Sequence, residues 1–333
     1  MKVGVVIGRF QPLHIGHAHL LNTARNNCDK LIVLIGSANR ARSIKNPWTY
    51  KERVEQITFR VEKDQIEPID GISPLNDYLY SDEQWINDVR AAIQMHVSKY
   101  DNVSSITIFG HEKAGNDYLS WFPEYKFYSV DSPHEISATQ VRRKMYENFS
   151  DYLPMSVYND FKYFDAEKER FKVYPYPETL NFNCSDALVV CSGHVLLIKR
   201  KFAPGENTWA LPGGFKNRNE TFQECALREL IEETNIRVPE KVLRGSIVGS
   251  RLFDNPDRGN GIPRNTLVVH YHIEPNPDGK LPRANGNDDA SETKWVSLFD
   301  AVNNYRLFDD HSDIIQVMTG VKSQPAIFNA TIN

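Results

Sequence analysis

The residues best suited to chemistry fall in two separate strings. The first is Gly8-Arg9-Phe10-Gln11-Pro12-Leu13-His14-Ile15-Gly16-His17. It follows the β-branched run Val3 to Ile7 and precedes a helical stretch, Ala18 to Arg25, so it reads as a strand-to-helix turn. A turn of this kind presents free backbone N–H groups and the positive end of a helix dipole. Gly8 and Gly16 allow a ligand to approach the backbone closely. His14 and His17 share one face of the first helical turn. Two imidazoles, Arg9 and a helix N-terminus together suit a polyphosphate. The plainer reading, ordinary surface or core histidines, fits one isolated His better than the whole string.

The second string runs from Pro212-Gly213-Gly214 through Glu220 to Arg228-Glu229-Leu230-Ile231-Glu232-Glu233. Thr221 and Glu224 form a capping-box pair, so a helix is expected to begin there. Glu229, Glu232 and Glu233 then fall at i, i+3 and i+4, one acidic stripe. Like charges this close call for a cation, and Arg228 and a divalent metal are the natural answers. A solvated acidic helix face is the alternative.

Other elements must hold these strings in place. Leu31 to Gly36 reads as a second buried strand, and its β–α–β spacing implies a parallel Rossmann-like sheet with ligands at the carboxyl ends of its strands. Thr49 is a candidate cap for a helix over Tyr50 to Arg60. Trp48 is expected to be exposed, as a stacking surface or as a loop anchor. Ser81 can cap a helix whose first turn holds Asp82 and Glu83, with Trp85 facing the core. A strand from Ser105 ends at Gly110-His111, with Lys113 just beyond. Ser137 and Gln140 form another capping box, stapled by Ile136 and Val141. That cap gathers Ser137, Thr139 and Arg142 at a helix N-terminus. In the second half, Asp186 to Cys191 and His194 to Lys199 read as a hairpin turning at Ser192-Gly193.

A chain of 333 residues is long for one core, which favours two domains. The expected division is 1–150, a linker with a helix over 151–181, and 182–333. The net charge of −4 gives no broad basic field for nucleic acid. Cys28, Cys184, Cys191 and Cys225 lack the spacing of a zinc site or disulfide framework. No run is apolar enough to span a membrane, and the strand-like start is unlike a signal peptide, so a cytoplasmic protein is expected. A homo-oligomer is left open.

Gly8-x-Phe10-x-Pro12-x-His14-x-Gly16-His17 resembles the first signature of the nucleotidyltransferase superfamily, and Ile136-Ser137-x-Thr139-x-x-Arg142 resembles its second. The stretch from Gly214 to Ile236 resembles the Nudix box, with Asn235 where the family has its last glycine. Asn is the next residue best able to end a helix in the left-handed conformation. In this order, the two halves resemble the bifunctional nicotinamide-nucleotide (NMN) adenylyltransferase/Nudix hydrolase family, over almost the whole chain.

That resemblance implies an α/β protein: an N-terminal Rossmann-like nucleotidyltransferase domain and a C-terminal Nudix α/β/α sandwich with a mixed sheet. It implies NAD and pyrophosphate from ATP and NMN in the first half, and hydrolysis of ADP-ribose to AMP and ribose 5-phosphate in the second. His14, His17 and Arg142 would stabilise the triphosphate. Gly8, Arg9, Phe10, Gly16, Trp48, Trp85, Gly110, Lys113, Ser137 and Thr139 would surround the substrates. Glu229 and Glu233 would hold magnesium or manganese with help from Glu232, while Glu220 and Arg228 pair to shape the loop. Gly214 and Arg258 would meet the second substrate. Glu292 is the candidate general base, with Asp288 and Asp289 competing. Two alternatives are nicotinic acid mononucleotide as the acceptor, and a Nudix half acting as a non-catalytic ADP-ribose sensor.

Overall fold

The computed structural model describes residues 1–111, 120–131, 136–148, 153–172, 181–259, 263–286 and 290–328. The chain forms two compact units, Met1–Pro154 with Gln324–Asn333, and Met155–Ser323. The helix expected in the linker lies in the second unit, and the last residues are grouped with the first. Among the described residues, no helix is long and apolar enough to cross a membrane.

The first unit is built on five parallel strands: β1 (Lys2–Gly8), β2 (Lys30–Ile35), β3 (Gly71–Pro74), β4 (Ser105–Gly110) and β5 (Lys126–Ser129). Their order is β3-β2-β1-β4-β5. The order reverses between β1 and β4, and ligands of open α/β sheets bind at the carboxyl ends of strands at such a switch point. Residue alternation in β2 divides the core. Leu31, Val33 and Ile35 pack with Leu21 of α1 (Ile15–Asn26) and Ile57 of α2 (Tyr50–Lys63). Ile32 and Leu34 pack on the other face with Val89 and Ile93 of α3 (Asp82–Val97). A fourth helix, α4, covers Ala138–Glu147. The expected caps are all made: Thr49, Ser81 and Ser137 accept from the amides of Glu52, Gln84 and Gln140. The returning C-terminal segment belongs to this core, since Ala326 is buried in the same cluster as Val6 and Asn76 Nδ2 donates to Gln324 O at 3.2 Å.

The second unit opens with α5 (Met155–Phe171), followed by β6 (Phe182–Cys191), β7 (His194–Arg200), β8 (Trp209–Ala210) and β9 (Gly213–Phe215). Then come α6 (Phe222–Thr234), α7 (Glu240–Gly245), β10 (Ile247–Phe253), β11 (Arg264–His272), β12 (Ala290–Ser297), α8 (Leu298–Asn303) and α9 (His311–Thr319). The sheet runs β10-β11-β6-β7-β12, with β8 on β7 and β9 on β6. It is mixed, because β11 and β6 pair in parallel while the other pairs are antiparallel. The β6–β7 hairpin turns at Ser192-Gly193, and both residues have positive φ. Leu227 and Leu230 bury one face of α6 against Val189, Leu196 and Val269. That packing leaves Glu229 and Glu233 on the side that meets β9.

Candidate active sites

In the first unit, Gly8 to His17 leaves β1 at the switch point and enters α1. Gly8 O accepts from Gly36 N at 2.9 Å, which ties the ends of β1 and β2 together. Phe10 is buried and has φ 51°, a left-handed backbone uncommon for a bulky residue. A Cβ on Gly8 would lie 3.1 Å from the Phe10 ring, so the glycine admits that ring. The ring in turn sits 4.9 Å from His17, centroid to centroid.

His14 caps α1. Its amide donates to His17 Nδ1 at 3.3 Å, and the two imidazoles stack with centroids 3.8 Å apart. Because Nδ1 of His17 accepts, its neutral tautomer carries the proton on Nε2. The helix start therefore presents N–H donors from both backbone and ring. Gly16 keeps this corner open, since its Cβ would lie 3.2 Å from the His14 ring.

The second signature closes on the first. Arg142 is buried on α4, with Nη1 donating to Gln11 O and Nη2 to Thr139 Oγ1 at 3.2 Å. Burial, and after it the Arg9 charge, push the Arg142 pKa below the usual guanidinium value. A cation held there against both effects suits an anionic ligand.

Two tryptophans depart from expectation or take its plainer form. Trp48, expected to be exposed, is buried, because its backbone exchanges two hydrogen bonds with the Gln11 amide, at 2.8 and 3.1 Å. It anchors the loop. Trp85, on α3, is partly buried and packs against the core, edge-on to Trp121 at 6.1 Å and tilted against Phe122 at 5.9 Å. Gly110 O accepts from Val130 N at 2.8 Å at the end of β4. Lys113 lies outside the described residues.

Sequence reasoning missed Arg53. It is 1% exposed, and Nη1 donates to Arg9 O at 2.7 Å and Gly36 O at 2.6 Å, with Nη2 to Ser37 O at 3.2 Å. One guanidinium thus ties the turn that follows β1 to the end of β2. The signal was present: Arg53 lies on the same α2 face as the buried Tyr50, Ile57 and Val61. Arg53→Met should destabilise the first unit by roughly 3 kcal/mol or more, since it strips side-chain donors from the carbonyls of Arg9, Gly36, Ser37 and Thr49. Thermal melting with the first unit's activity as readout checks this.

In the second unit, a cavity of about 470 Å³ is lined by Asp186, Gly213, Gly214, Glu229 and Glu233, with Arg200, Arg258 and Arg264 among its cations. Thr221 caps α6 as expected, and Asn235 ends it at φ 42°, ψ 40°. Asparagine therefore serves at the position where the resembled motif has glycine.

Arg228 is the organiser of the acidic stripe. It grips Glu220 through two bonds of 2.8 and 3.0 Å, reaches Glu229 at 2.7 Å and Glu232 at 2.9 Å, and donates to Phe215 O at 3.1 Å. The Arg228 guanidinium holds the Glu220 carboxyl down at about 2. Glu233 behaves oppositely. Burial, with the Glu229 and Asp186 charges adding to it, pushes its pKa up to about 8, although Gly213 N donates to it at 2.9 Å. Burial also raises Glu229.

Asp186 was not singled out from the sequence. It is buried on β6 and accepts from Thr266 Oγ1 at 2.6 Å. A Cβ on Gly213 would collide with its carboxylate, and one on Gly214 with that of Glu229. The Gly-Gly pair is thus what lets β9 pass between two acidic side chains. Gly214→Ala should cut the second unit's activity by about tenfold or more by displacing Glu229, with the fold retained. Rate and circular dichroism on the same sample check it.

Glu232 is exposed and paired with Arg228. Arg258 is buried in an ion pair with Asp310, at 3.0 and 3.1 Å, and lines the cavity in that paired state. Glu292 stands exposed on β12 and does not line the cavity. Asp288 and Asp289 lie outside the described residues. Among the described residues, no three His, Cys, Asp or Glu side chains already form a metal cage. In this geometry Glu229 faces Arg228 and Glu233 faces the Gly213 amide.

Comparison with known proteins assigns each unit. Residues 5–144 match the cytidylyltransferase-like family model, and residues 185–318 match the NUDIX domain model. A bifunctional NMN adenylyltransferase/ADP-ribose pyrophosphatase from Francisella tularensis superimposes with a TM-score of 0.85 at 32% identity, covering 96% of this chain and 98% of that one. The form complexed with AMP and a manganese ion gives 0.82 over the same coverage. A nicotinamide-nucleotide adenylyltransferase of Archaeoglobus fulgidus is 32% identical over 168 residues, 49% of this chain and 91% of that protein. An ADP-ribose pyrophosphatase of Methanocaldococcus jannaschii is 32% identical over 148 residues, 44% of this chain and 76% of that protein.

Proposed function

The chain belongs to the family of bifunctional NMN adenylyltransferase/ADP-ribose pyrophosphatases, and on that premise we propose how each site does its work. The first unit transfers AMP from ATP to NMN, giving NAD and pyrophosphate. The NMN phosphate attacks the α-phosphorus of ATP in line, so no covalent nucleophile is needed. The site acts by positioning and by neutralising charge. The α1 amides and the His14–His17 stack hold phosphate oxygens, and Arg142 neutralises the negative charge that leaves with pyrophosphate. The observation that carries this reading is the closure of Arg142 onto Gln11 O, which joins the two signatures in one site.

The second unit hydrolyses ADP-ribose to AMP and ribose 5-phosphate. Its chemistry depends on a divalent metal, magnesium or manganese. The residues fit such an ion. Asp186, Glu229 and Glu233 offer only oxygen donors, as hard cations prefer, and the raised Glu233 pKa marks a carboxylate short of positive charge. Glu229 and Glu233 would hold the metal, with Glu232 assisting. When bound, the metal neutralises the diphosphate and makes water a stronger nucleophile. Arg228 fixes the stripe through Glu220, and the buried walls restrict water.

The acceptor is the finer point, and it is tested by comparing NMN with nicotinic acid mononucleotide under ATP and magnesium. A kcat/KM favouring NMN supports the assignment, and one favouring the nicotinate compound replaces it.

A further inference from the structure

We propose that Arg200 and Arg264 form a guanidinium clamp for the phosphates of the substrate in the second unit. The proposal rests on the Nudix reading above and specifies which side chains meet the diphosphate.

The cavity's cations differ in how they are satisfied. Arg228 is committed to Glu220, Glu229 and Glu232, and Arg258 to Asp310. Arg200 and Arg264 line the same cavity, yet among the described residues neither has a carboxylate at ion-pair distance. The Arg200 guanidinium lies 4.4 Å over the Phe308 ring, and its Nε donates to Pro204 O at 2.8 Å. The Arg264 guanidinium lies 5.3 Å from the Phe215 ring and 5.8 Å from that of Phe164. Its Nε is buried and has no hydrogen-bond partner.

An unpaired cation removed from water is costly, and aromatic faces offset only part of that cost. Burial pushes the Arg200 pKa down; the Glu233 charge works against that push, and the Arg264 charge adds to it. The two guanidiniums therefore repel one another while they await an anion. A metal on the carboxylates would relieve those groups but would do nothing for the arginines. The cavity thus holds carboxylates suited to a cation and, beside them, guanidiniums suited to an anion. The aromatic rings lie within cation–π reach of both guanidiniums, and a planar fork is the shape that binds phosphate through two parallel bonds. The ligand class is a nucleoside diphosphate joined to a second group.

The test uses the full chain and α,β-methylene-ADP, a diphosphate that cannot be cleaved at its bridge. Calorimetric affinity is compared between the wild type and Arg264→Gln with manganese present. The change on substitution is what is read, so binding elsewhere on the chain cancels. Arg264→Gln should lower the affinity about tenfold or more. It should raise the KM for ADP-ribose by a similar factor, with a smaller effect on kcat. Arg264→Lys should recover only part of the loss, because an ammonium lacks the fork. Without ligand, Arg264→Gln should melt no lower than the wild type, since the repulsion with Arg200 is gone. A purely structural arginine would give lower melting and unchanged affinity, and that result would overturn the clamp. Wild-type protein that does not bind the analogue would overturn it too. Arg264-dependent binding without ADP-ribose cleavage would instead remove the ADP-ribose reading and leave the clamp standing.

Discussion

Replacing His17 with alanine should reduce NAD formation by at least about a hundredfold and leave ADP-ribose hydrolysis within about twofold of wild type. The magnitude is that of losing a preorganised donor to a developing negative charge. The loss is specific because His17 lies in the first unit, 4.9 Å from Phe10 and stacked on His14. Alanine also deletes the acceptor of the His14 amide, so part of the effect could come from a frayed helix start. His17→Gln separates the two. Glutamine at the third helical position can close a capping box, yet it has no imidazole. If the glutamine variant melts like wild type and still makes no NAD, the ring itself does the work. Near-normal NAD formation by either variant would remove His17 from the site.

The second large effect is at Glu233. Glu233→Gln should abolish ADP-ribose hydrolysis, by about a hundredfold or more, while NAD formation continues. The same change should stabilise the metal-free second unit. Burial pushes the folded-state pKa of Glu233 up to about 8, from the 4.5 usual for such a carboxyl group. Between those two values the folded chain holds a proton that the unfolded chain has released. Stability must therefore fall as pH rises through that window, and the full penalty is present above pH 8. Glutamine is neutral throughout and can still accept from the Gly213 amide. The gain should be on the order of 2–4 kcal/mol above pH 8 and vanish near pH 4. Melting curves of the metal-free proteins across pH read it directly. A pH-independent difference would mean that Glu233 is not the group that titrates there. Stability given up for a charged, buried carboxylate is the usual cost of a working site.

The pattern of success in reading the sequence follows from how local each signal is. Caps depend on residues three apart, so Thr49, Ser81, Ser137 and Thr221 were legible, as was the left-handed end at Asn235. The acidic stripe was legible for the same reason, including the pairing of Glu220 with Arg228. Features that arise only when distant strands meet were not. Asp186 looks like one polar residue at the start of an apolar strand, and only the antiparallel register of β6 with β9 brings Gly213 opposite it. Trp48 reads as exposed because Pro47 and polar residues surround it, yet Gln11, far away in sequence, buries it. Arg264 likewise gives no local sign that it will lie within cation–π reach of two phenylalanine rings, at 5.3 and 5.8 Å. Glu292 is the reverse case. Its acidic neighbourhood suggested a role, but β12 pairs with β7 and carries it away from the cavity lining.

The central claim is that one chain carries two independent nucleotide chemistries. The most direct measurement resolves nucleotide products from the purified protein in two reactions, one with ATP, NMN and magnesium, the other with ADP-ribose and magnesium. NAD in the first and AMP in the second is the predicted result. NAD without AMP would contradict the hydrolase half and turn the second unit into a sensor or an enzyme for another diphosphate. AMP without NAD would contradict NMN as the acceptor of the first.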